Sequence, residues 1–360
     1  MQLLALELRD FRNIQAASFA PDPGLTVIAG ANGQGKTNLL EAVYLLCGGK
    51  SFRGSKDNEL VRHGCPTAGV LGRCLGSQRE LAVRLDIYGP GEGKRGRFAQ
   101  VNGVDYGRAT AIAGQFTAVV FEPGHLSLVK AGPDGRRRFL DAAICQLYPG
   151  YIAILRRYNK ALTQKNALLR QYNEVRDAAA LLDVFDAELA ASGSEVSRRR
   201  TEWLAQAGPA AEGFYAELSS GAESLQIHYE GCCGSEALAQ RLAASRQRDL
   251  RAGFCTCGPH REDFDVLLNG QSARTFGSQG QQRSTVLALK LAEAAVARTV
   301  TGEHPVLLLD DVLSELDEGR QSYLLARMDG KQSIVTCCDA ALFRAAGGKV
   351  VRMEKGCLVE

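Results

Sequence analysis

The chain has 360 residues, 45% hydrophobic and 23% charged, a composition that suits a folded globular protein and excludes wholesale disorder and collagen-like repeats. Lys and Arg number 43 against 40 Asp and Glu, a net charge of +3, which excludes a polybasic protein and confines any nucleic-acid contact to local patches. At ~150 residues per domain the length suits two domains, or one domain with a large insertion.

No apolar run approaches the ~18–20 residues needed to span a bilayer. The N-terminal segment has neither a basic stretch nor a small-residue cleavage site, so no membrane association or export is expected and the expected location is cytoplasmic. The 11 cysteines include no C-x-x-C pair and are expected as reduced thiols. Cys255-x-Cys257 with His260 nearby lacks the second ligand pair of a zinc site.

Taken in chain order, residues 2–8 and 14–20 read as strands, the second stopped by Pro21-Asp22-Pro23-Gly24. Residues 25–29 form a short apolar run suited to a buried strand, followed by a glycine-rich loop and a helix over 38–47. Residues 69–76, 80–88 and 97–107 read as antiparallel strands, with Asn102-Gly103 as a hairpin turn. Residues 117–121 form another buried strand. From about 134 to 207 the composition turns to Ala, Leu, Arg, Gln and Glu, broken only at Pro149-Gly150. No sustained heptad pattern runs through it, so a compact helical lobe is expected rather than a long coiled coil. Strand signals return at 224–230 and 264–268, with Asn269-Gly270 as a second hairpin turn. A helix over 281–299 and strands at 306–309 and 334–336 follow.

The segment Gly30-Ala31-Asn32-Gly33-Gln34-Gly35-Lys36-Thr37 matches G-x-x-x-x-G-K-[ST] in full, between a predicted strand and a predicted helix. Glycines let backbone amides converge on an anion, and the helix N-terminus adds partial positive charge. Lys36 is placed to reach the β- and γ-phosphates and the Thr37 hydroxyl to ligate Mg²⁺. Val306-Leu307-Leu308-Leu309-Asp310-Asp311 supplies the partner: a buried strand that ends in two acids, Asp310 suited to Mg²⁺ and Asp311 to orienting or deprotonating a water. About 270 residues separate the two motifs, so the nucleotide core must be assembled from both chain ends around an insertion. Ser278-Gln279-Gly280-Gln281-Gln282-Arg283, just ahead of a helix, forms a second anion-binding corner. It can serve a second ligand, the same nucleotide from another subunit, or a plain helix cap.

In combination these motifs resemble the ABC-type ATPase heads of the SMC-like group and, within it, the RecF family. The resemblance extends through Leu8-Arg9-Asp10-Phe11-Arg12-Asn13, Phe121-Glu122-Pro123, Val129-Lys130-Ala131-Gly132-Pro133, Arg136-Arg137-Arg138-Phe139-Leu140-Asp141, Gly258-Pro259-His260-Arg261-Glu262-Asp263 and the stretch 307–317. It implies an α/β fold: an ABC-type head built from 1–125 and 263–360, with a mainly helical lobe inserted at 126–262. It implies ATP and Mg²⁺ as cofactors, held by residues 30–37, by Arg12 and Asn13 and, for the metal, by Thr37 and Asp310. Lys36 and Asp311 then stand in the catalytic positions, while Ser278, Gly280 and Gln281 meet the γ-phosphate of a second copy. Ser314-Glu315-Leu316-Asp317 resembles the loop at that dimer seam. No glutamine follows the strand at 117–121, where Gln115 precedes it and Glu122 stands near the expected place. No histidine follows the strand at 334–336.

The resemblance further implies a weak DNA-dependent ATPase acting as a switch. ATP-driven homodimerisation on duplex DNA or single/double-strand junctions is expected, with loading of recombinase together with RecO and RecR. A transporter ATPase subunit is disfavoured by the antiparallel N-terminal strands and the helical insertion, and a small-molecule kinase by the segment 278–283. Basic clusters at Lys50, Arg53 and Lys56, at Lys94, Arg95 and Arg97, at Lys130, Arg136, Arg137 and Arg138, and at Arg198, Arg199 and Arg200 are candidates for phosphate contact or for solvated faces. Few aromatics interleave them, which favours duplex backbone over stacked single strands.

Overall fold

The computed structural model describes residues 1–359 except 78, 92, 341, 342 and 344–346. Its elements run β1 (Gln2–Phe11), β2 (Ile14–Phe19), β3 (Leu25–Ala29), α1 (Lys36–Leu45), β4 (Thr67–Leu75), β5 (Glu80–Tyr88), β6 (Gly96–Val101), β7 (Val104–Arg108) and β8 (Ala118–Phe121). Next come α2 (Pro133–Leu147), α3 (Tyr151–Arg170), α4 (Ala178–Leu218), β9 (Leu225–Tyr229), α5 (Ser235–Ala252), β10 (Phe264–Leu268), β11 (Gln271–Ser272) and α6 (Ala273–Phe276). The chain closes with α7 (Gln279–Thr301), β12 (Val306–Asp310), α8 (Glu318–Met328), β13 (Ser333–Cys337), β14 (Lys349–Glu354) and β15 (Cys357–Val359).

The expected strand at 97–107 is two strands, β6 and β7, folded about Asn102 and Gly103, both at positive φ. They join an antiparallel sheet in the order β2-β1-β4-β5-β6-β7, whose members alternate buried and exposed residues as a half-covered sheet requires. A second sheet runs β15-β14-β3-β13-β12-β8, parallel apart from β15. Its central strands are continuous apolar runs, so both faces need cover. On one face Leu39, Leu40 and Val43 of α1 fill the gap between the two sheets. On the other, Leu287 and Leu291 of α7 and Leu324 and Met328 of α8 pack onto Val27, Leu307, Leu309 and Val335. The parallel sheet therefore draws strands from residues 25–29, 118–121, 306–310, 333–337 and 349–354, so both chain ends build it.

The intervening segment is mainly helical and has its own core, centred on Trp203, Phe139, Tyr151, Tyr158 and Phe264. The longest helix, α4, has 41 residues and runs through Pro209, beyond the expected end at 207. Proline forfeits one backbone hydrogen bond, a cost of ~3 kcal/mol inside a helix. Buried Ala207, Ala211 and Tyr215 on the same stripe compensate by keeping that part of the helix in the lobe core. The same core takes Val286, Leu289 and Val296 from α7, so α7 belongs to the lobe on one side and to the parallel sheet on the other. No described helix is long and apolar enough to cross a membrane.

Candidate functional site

The site forms where β3 and β12 end on either side of β13. At Gly30 the chain leaves β3 so close to β14 that a Cβ there would lie 2.4 Å from the Met353 carbonyl oxygen. At Gly35 φ is +111°, and a Cβ would meet Asn13 Oδ1 at 2.9 Å. Both positions therefore demand glycine. Gly35 caps α1 with no side-chain acceptor, and no acid lies in the first turn, so the positive end of the helix faces the loop. The loop is braced from the far end of the chain. Gly356 N donates to Gln34 O at 2.9 Å, Lys355 N donates to Gln34 Oε1 at 2.5 Å, and Asn13 Nδ2 donates to Gln34 O at 3.4 Å.

Lys36 is 4% exposed. Its Nζ donates to Gly30 O at 2.7 Å and to Ala31 O at 3.2 Å and lies 3.9 Å from Asp311 Oδ2. The ammonium is thus held inside the loop by carbonyls that a phosphate oxygen can replace. Thr37 Oγ1 donates to Asp310 Oδ1 at 2.8 Å, and Thr336 Oγ1 donates to the same oxygen at 2.9 Å. Burial raises the Asp310 pKa, the two hydroxyls oppose the rise, and neighbouring Asp311 adds to it. A hydroxyl and a carboxylate at this spacing are hard oxygen donors of the kind Mg²⁺ takes, usually with several waters. Asp311 adopts φ 48°, a left-handed conformation that turns the chain off β12 and into the next loop. Its amide donates to Thr336 Oγ1 at 3.0 Å, fixing the turn.

Glu122 follows β8, whose Phe121 pairs with Leu309, so the strand register carries Glu122 to the same edge as Asp310. Burial pushes its carboxyl up to about 7, with Lys290 opposing the rise and Asp310 adding to it. His125 Nε2 lies 3.4 Å from Glu122 Oε1, but burial and Lys290 hold its imidazole well below the usual histidine range. The contact is therefore a neutral one rather than an ion pair. Cys338 occupies the position after β13, with its Sγ donating to Asn32 Oδ1 at 3.2 Å and lying 4.0 Å from Lys36 Nζ.

Arg12 and Asn13, adjacent at the β1–β2 turn, serve different ends. Asn13 Oδ1 accepts from Asn38 Nδ2 at 2.8 Å and stays with the loop. The Arg12 guanidinium instead forks onto Glu41 at 2.9 Å twice, donates to Ser55 Oγ at 2.5 Å, and reaches Glu59 O at 2.9 Å. Glu41 is fully buried; Arg12 is its fork-bonded counter-ion, and Arg53 Nη1 lies 3.9 Å from it.

Ser278, Gly280 and Gln281 form the start of α7. Ser278 Oγ accepts from Gln281 N at 3.2 Å, and Gln281 Oε1 accepts from Ser278 N at 2.7 Å, a reciprocal cap. Arg320 of α8 donates to Gly280 O at 2.9 Å and Ser284 Oγ at 2.8 Å and also pairs with Asp317. Arg283 Nη2 reaches Glu315 at 3.4 Å. The segment 278–283 is thus pinned to 314–320, the segment that follows Asp310 and Asp311. Among the described residues no hydrogen bond or ion pair joins 278–283 to 30–37.

Several arginines of the basic runs are spent on partners within the chain, and Arg97, Arg136 and Arg200 are buried. Arg136 pairs with Asp263 at 2.5 Å and donates to three carbonyls, and Arg137 pairs with Asp134 and Glu262 O. Arg198 and Arg199 pair with Glu195 and Glu202, while buried Arg200 pairs with Asp141 at 3.0 Å. Arg97 is spent on Asp57, and Lys94 lies over the Tyr88 and Phe98 rings. Lys130 and Arg138 stay exposed, and so do Lys50, Arg53, Lys56, Lys94 and Arg95, with Arg53 donating to Asn38 Oδ1 at 2.9 Å. His260 spends one ring nitrogen on Tyr158 Oη and the other on Cys255 O, and all 11 cysteines carry free thiols.

Residues 5–104 match the AAA-domain family model. The chain is 39% identical over 337 residues to the DNA replication and repair protein RecF of Lachnoclostridium phytofermentans, covering 94% of this chain and 92% of that protein. RecF of Myxococcus xanthus is also 39% identical, over 365 residues, with 96% and 93% covered. Among solved structures, the recombination mediator protein RecF-ATPrS superposes with a TM-score of 0.91 at 35% identity, covering 99% of this chain and 97% of that one. The Smc head domain from Pyrococcus furiosus, at 18% identity and a TM-score of 0.55, shares the fold. With its two-ended parallel sheet, its phosphate loop facing Asp310 and these relatives, the chain belongs to the RecF family and carries an ABC-type ATPase head.

Proposed function

We propose that the chain is an ATP-dependent DNA-binding switch of recombinational repair and replication restart. ATP is held by residues 30–37, with Lys36 on the phosphates and Asn13 bracing the loop. Thr37 and Asp310 hold Mg²⁺, which when bound offsets the phosphate charge. Asp311 orients or deprotonates the attacking water. The observation that carries this reading is the approach of Thr37 to Asp310 at 2.8 Å, which brings two distant motifs together and supports a shared role for them at phosphate and metal. The solved relatives RecF-ATP and RecF-ATPrS support ATP as the nucleotide, and their RecFOR pathway supports RecO and RecR as partners.

The capping bonds of Ser278 and Gln281 at the start of α7, with no hydrogen bond or ion pair to 30–37 among the described residues, support a dimer in which each copy's Ser278, Gly280 and Gln281 meet the other copy's γ-phosphate. ATP is then the bridge of the interface, and slow hydrolysis releases it. We read 1–125 and 263–360 as the head and 126–262 as the inserted lobe, with exposed Lys130 and Arg138 contacting duplex phosphates. Light scattering with ATP or ADP, with and without duplex DNA, tests the reading. The expected mass doubles with ATP alone or ATP plus duplex and not with ADP. A mass that ignores the nucleotide contradicts it.

A further inference from the structure

A second concavity lies on the opposite side of the parallel sheet's strand direction from the nucleotide site. Its volume is about 460 Å³, and it is lined by the C-terminal half of α7, the start of β12, Phe214 near the end of α4, Arg327 in the last turn of α8 and Lys331 just after that helix. Leu307 lines it three positions before Asp310, roughly 10 Å along the strand. Arg298 lies 20 positions along α7 from Ser278, roughly 30 Å at 1.5 Å per residue. The cleft is therefore clear of both halves of the proposed nucleotide site.

Its walls have two chemistries. The floor is apolar: Phe214, Leu291 and Leu307, with Ala294 and Ala295 of α7 leaving the space open. The rim is cationic: Arg298, Arg327 and Lys331, with His304 beside them. Arg327 is already spent, paired with Glu217 and lying over the Phe214 and Tyr323 rings. Arg298 is exposed and has no side-chain partner among the described residues. Among the described residues Lys331 Nζ donates only to the Arg327 carbonyl, at 2.5 Å. Burial, then the charges of Arg327 and Arg298, lower the Lys331 pKa, and burial, Arg298 and Lys331 lower that of His304. Like charges thus crowd a cleft that no acidic side chain lines among the described residues. An anion entering it relieves that repulsion and meets the rim with little competition.

We propose that this cleft seats a peptide of a partner protein in which an apolar side chain is flanked by carboxylates, the side chain on the Phe214–Leu307 floor and the carboxylates on Arg298 and Lys331. A buried apolar anchor within a charged rim is the usual anatomy of such recognition. The volume accommodates one or two side chains, too little for a duplex, and a phosphate backbone alone leaves the floor unused.

The test is fluorescence anisotropy with a fluorescein-labelled pentapeptide of three glutamates, leucine and a C-terminal phenylalanine, on the full chain. Arg298→Glu, at an exposed position, is expected to weaken binding at least tenfold, and so is serine in place of the peptide's leucine and phenylalanine. ATP hydrolysis stays at the wild-type rate in Arg298→Glu, which separates the cleft from the nucleotide site. No detectable binding at millimolar peptide, equal binding by Arg298→Glu, equal binding of the serine peptide, or displacement of the probe by duplex DNA each overturns the proposal.

Discussion

Thr37 Oγ1 and Asp310 Oδ1, 273 positions apart in the chain, are joined by a hydrogen bond of 2.8 Å. Thr336 Oγ1 donates to the same carboxylate oxygen, so β13, lying between β3 and β12, sets the alignment of the two motif strands.

Asp311 is the group expected to act on the attacking water. Asparagine is among the few residues that tolerate φ 48° at modest cost, so Asp311→Asn keeps the turn off β12. ATP binding through Lys36, Thr37 and Asp310 is retained while hydrolysis falls by more than about tenfold, within the usual contribution of a general base. Single-turnover hydrolysis beside equilibrium ATP binding checks this, and wild-type turnover in Asp311→Asn assigns the base elsewhere.

For Arg12 the neighbours point to a structural duty. Removing it leaves Glu41, fully buried, with the Ser51 hydroxyl and the more distant Arg53 but without its fork, and breaking such a buried pair costs up to about 3 kcal/mol. Arg12→Ala is expected to lower the urea midpoint strongly, with Glu41→Gln in the same chain restoring much of it. A variant that keeps its stability but loses ATP affinity assigns Arg12 to the nucleotide instead.

Much of this was legible in sequence. The phosphate loop and the strand ending in Asp310 and Asp311 are local patterns, since apolar runs, glycines and acids lie within a few positions. Ser278 was legible as a corner but ambiguous in use, and its capping bonds leave both a structural and a ligand role open to the same residue. Helix α5 escaped notice because only Leu238, Leu242, Ser245 and Asp249 of its 18 residues are buried, too thin a stripe to stand out. The β14–β15 pair, which braces Gln34 and crowds Gly30, left only the turn Lys355-Gly356 as a signal. The arginine runs misled more. Whether Arg136 faces solvent depends on Asp263, 127 positions away, and no local pattern carries that.

The DNA reading follows from the same partners. Each lost phosphate contact flattens the log K against log salt slope by ~0.9 on duplex DNA. Lys130→Ala and Arg138→Ala are expected to flatten it stepwise at unchanged stability. Arg136→Ala, which leaves Asp263 and three carbonyls without their donor, acts on the melting temperature instead. Wild-type slopes in both exposed variants move the DNA contact off the lobe.

Glu122 sets a pH dependence. In the folded protein its carboxyl keeps its proton up to about 7, whereas the unfolded chain releases it in the ordinary carboxylate range. Between those values the native state holds more protons, so this group's contribution falls as pH rises, by at most about 3 kcal/mol at 1.36 kcal/mol per unit. Urea unfolding of the nucleotide- and metal-free protein between pH 5 and 8 is expected to show that decline in wild type and a flatter profile in Glu122→Gln. Parallel profiles remove Glu122 from the account.

The most direct test of the account mixes two defective chains. Lys36→Met lacks the charge-assisted phosphate contact, worth ~1.5–3 kcal/mol, and should lose at least about tenfold in ATP affinity. Ser278→Arg keeps its phosphate loop but blocks the corner at the start of α7. Neither should dimerise with ATP alone, since each lacks one half of every composite site. Mixed, they regain one site, formed by the intact loop of one chain and the intact 278–283 segment of the other. Sedimentation velocity of the mixture with ATP is expected to show a heterodimer that is absent from either variant and absent with ADP. Dimerisation of Ser278→Arg by itself, or a mixture that stays monomeric with ATP, contradicts the proposal that ATP bridges two copies of this chain.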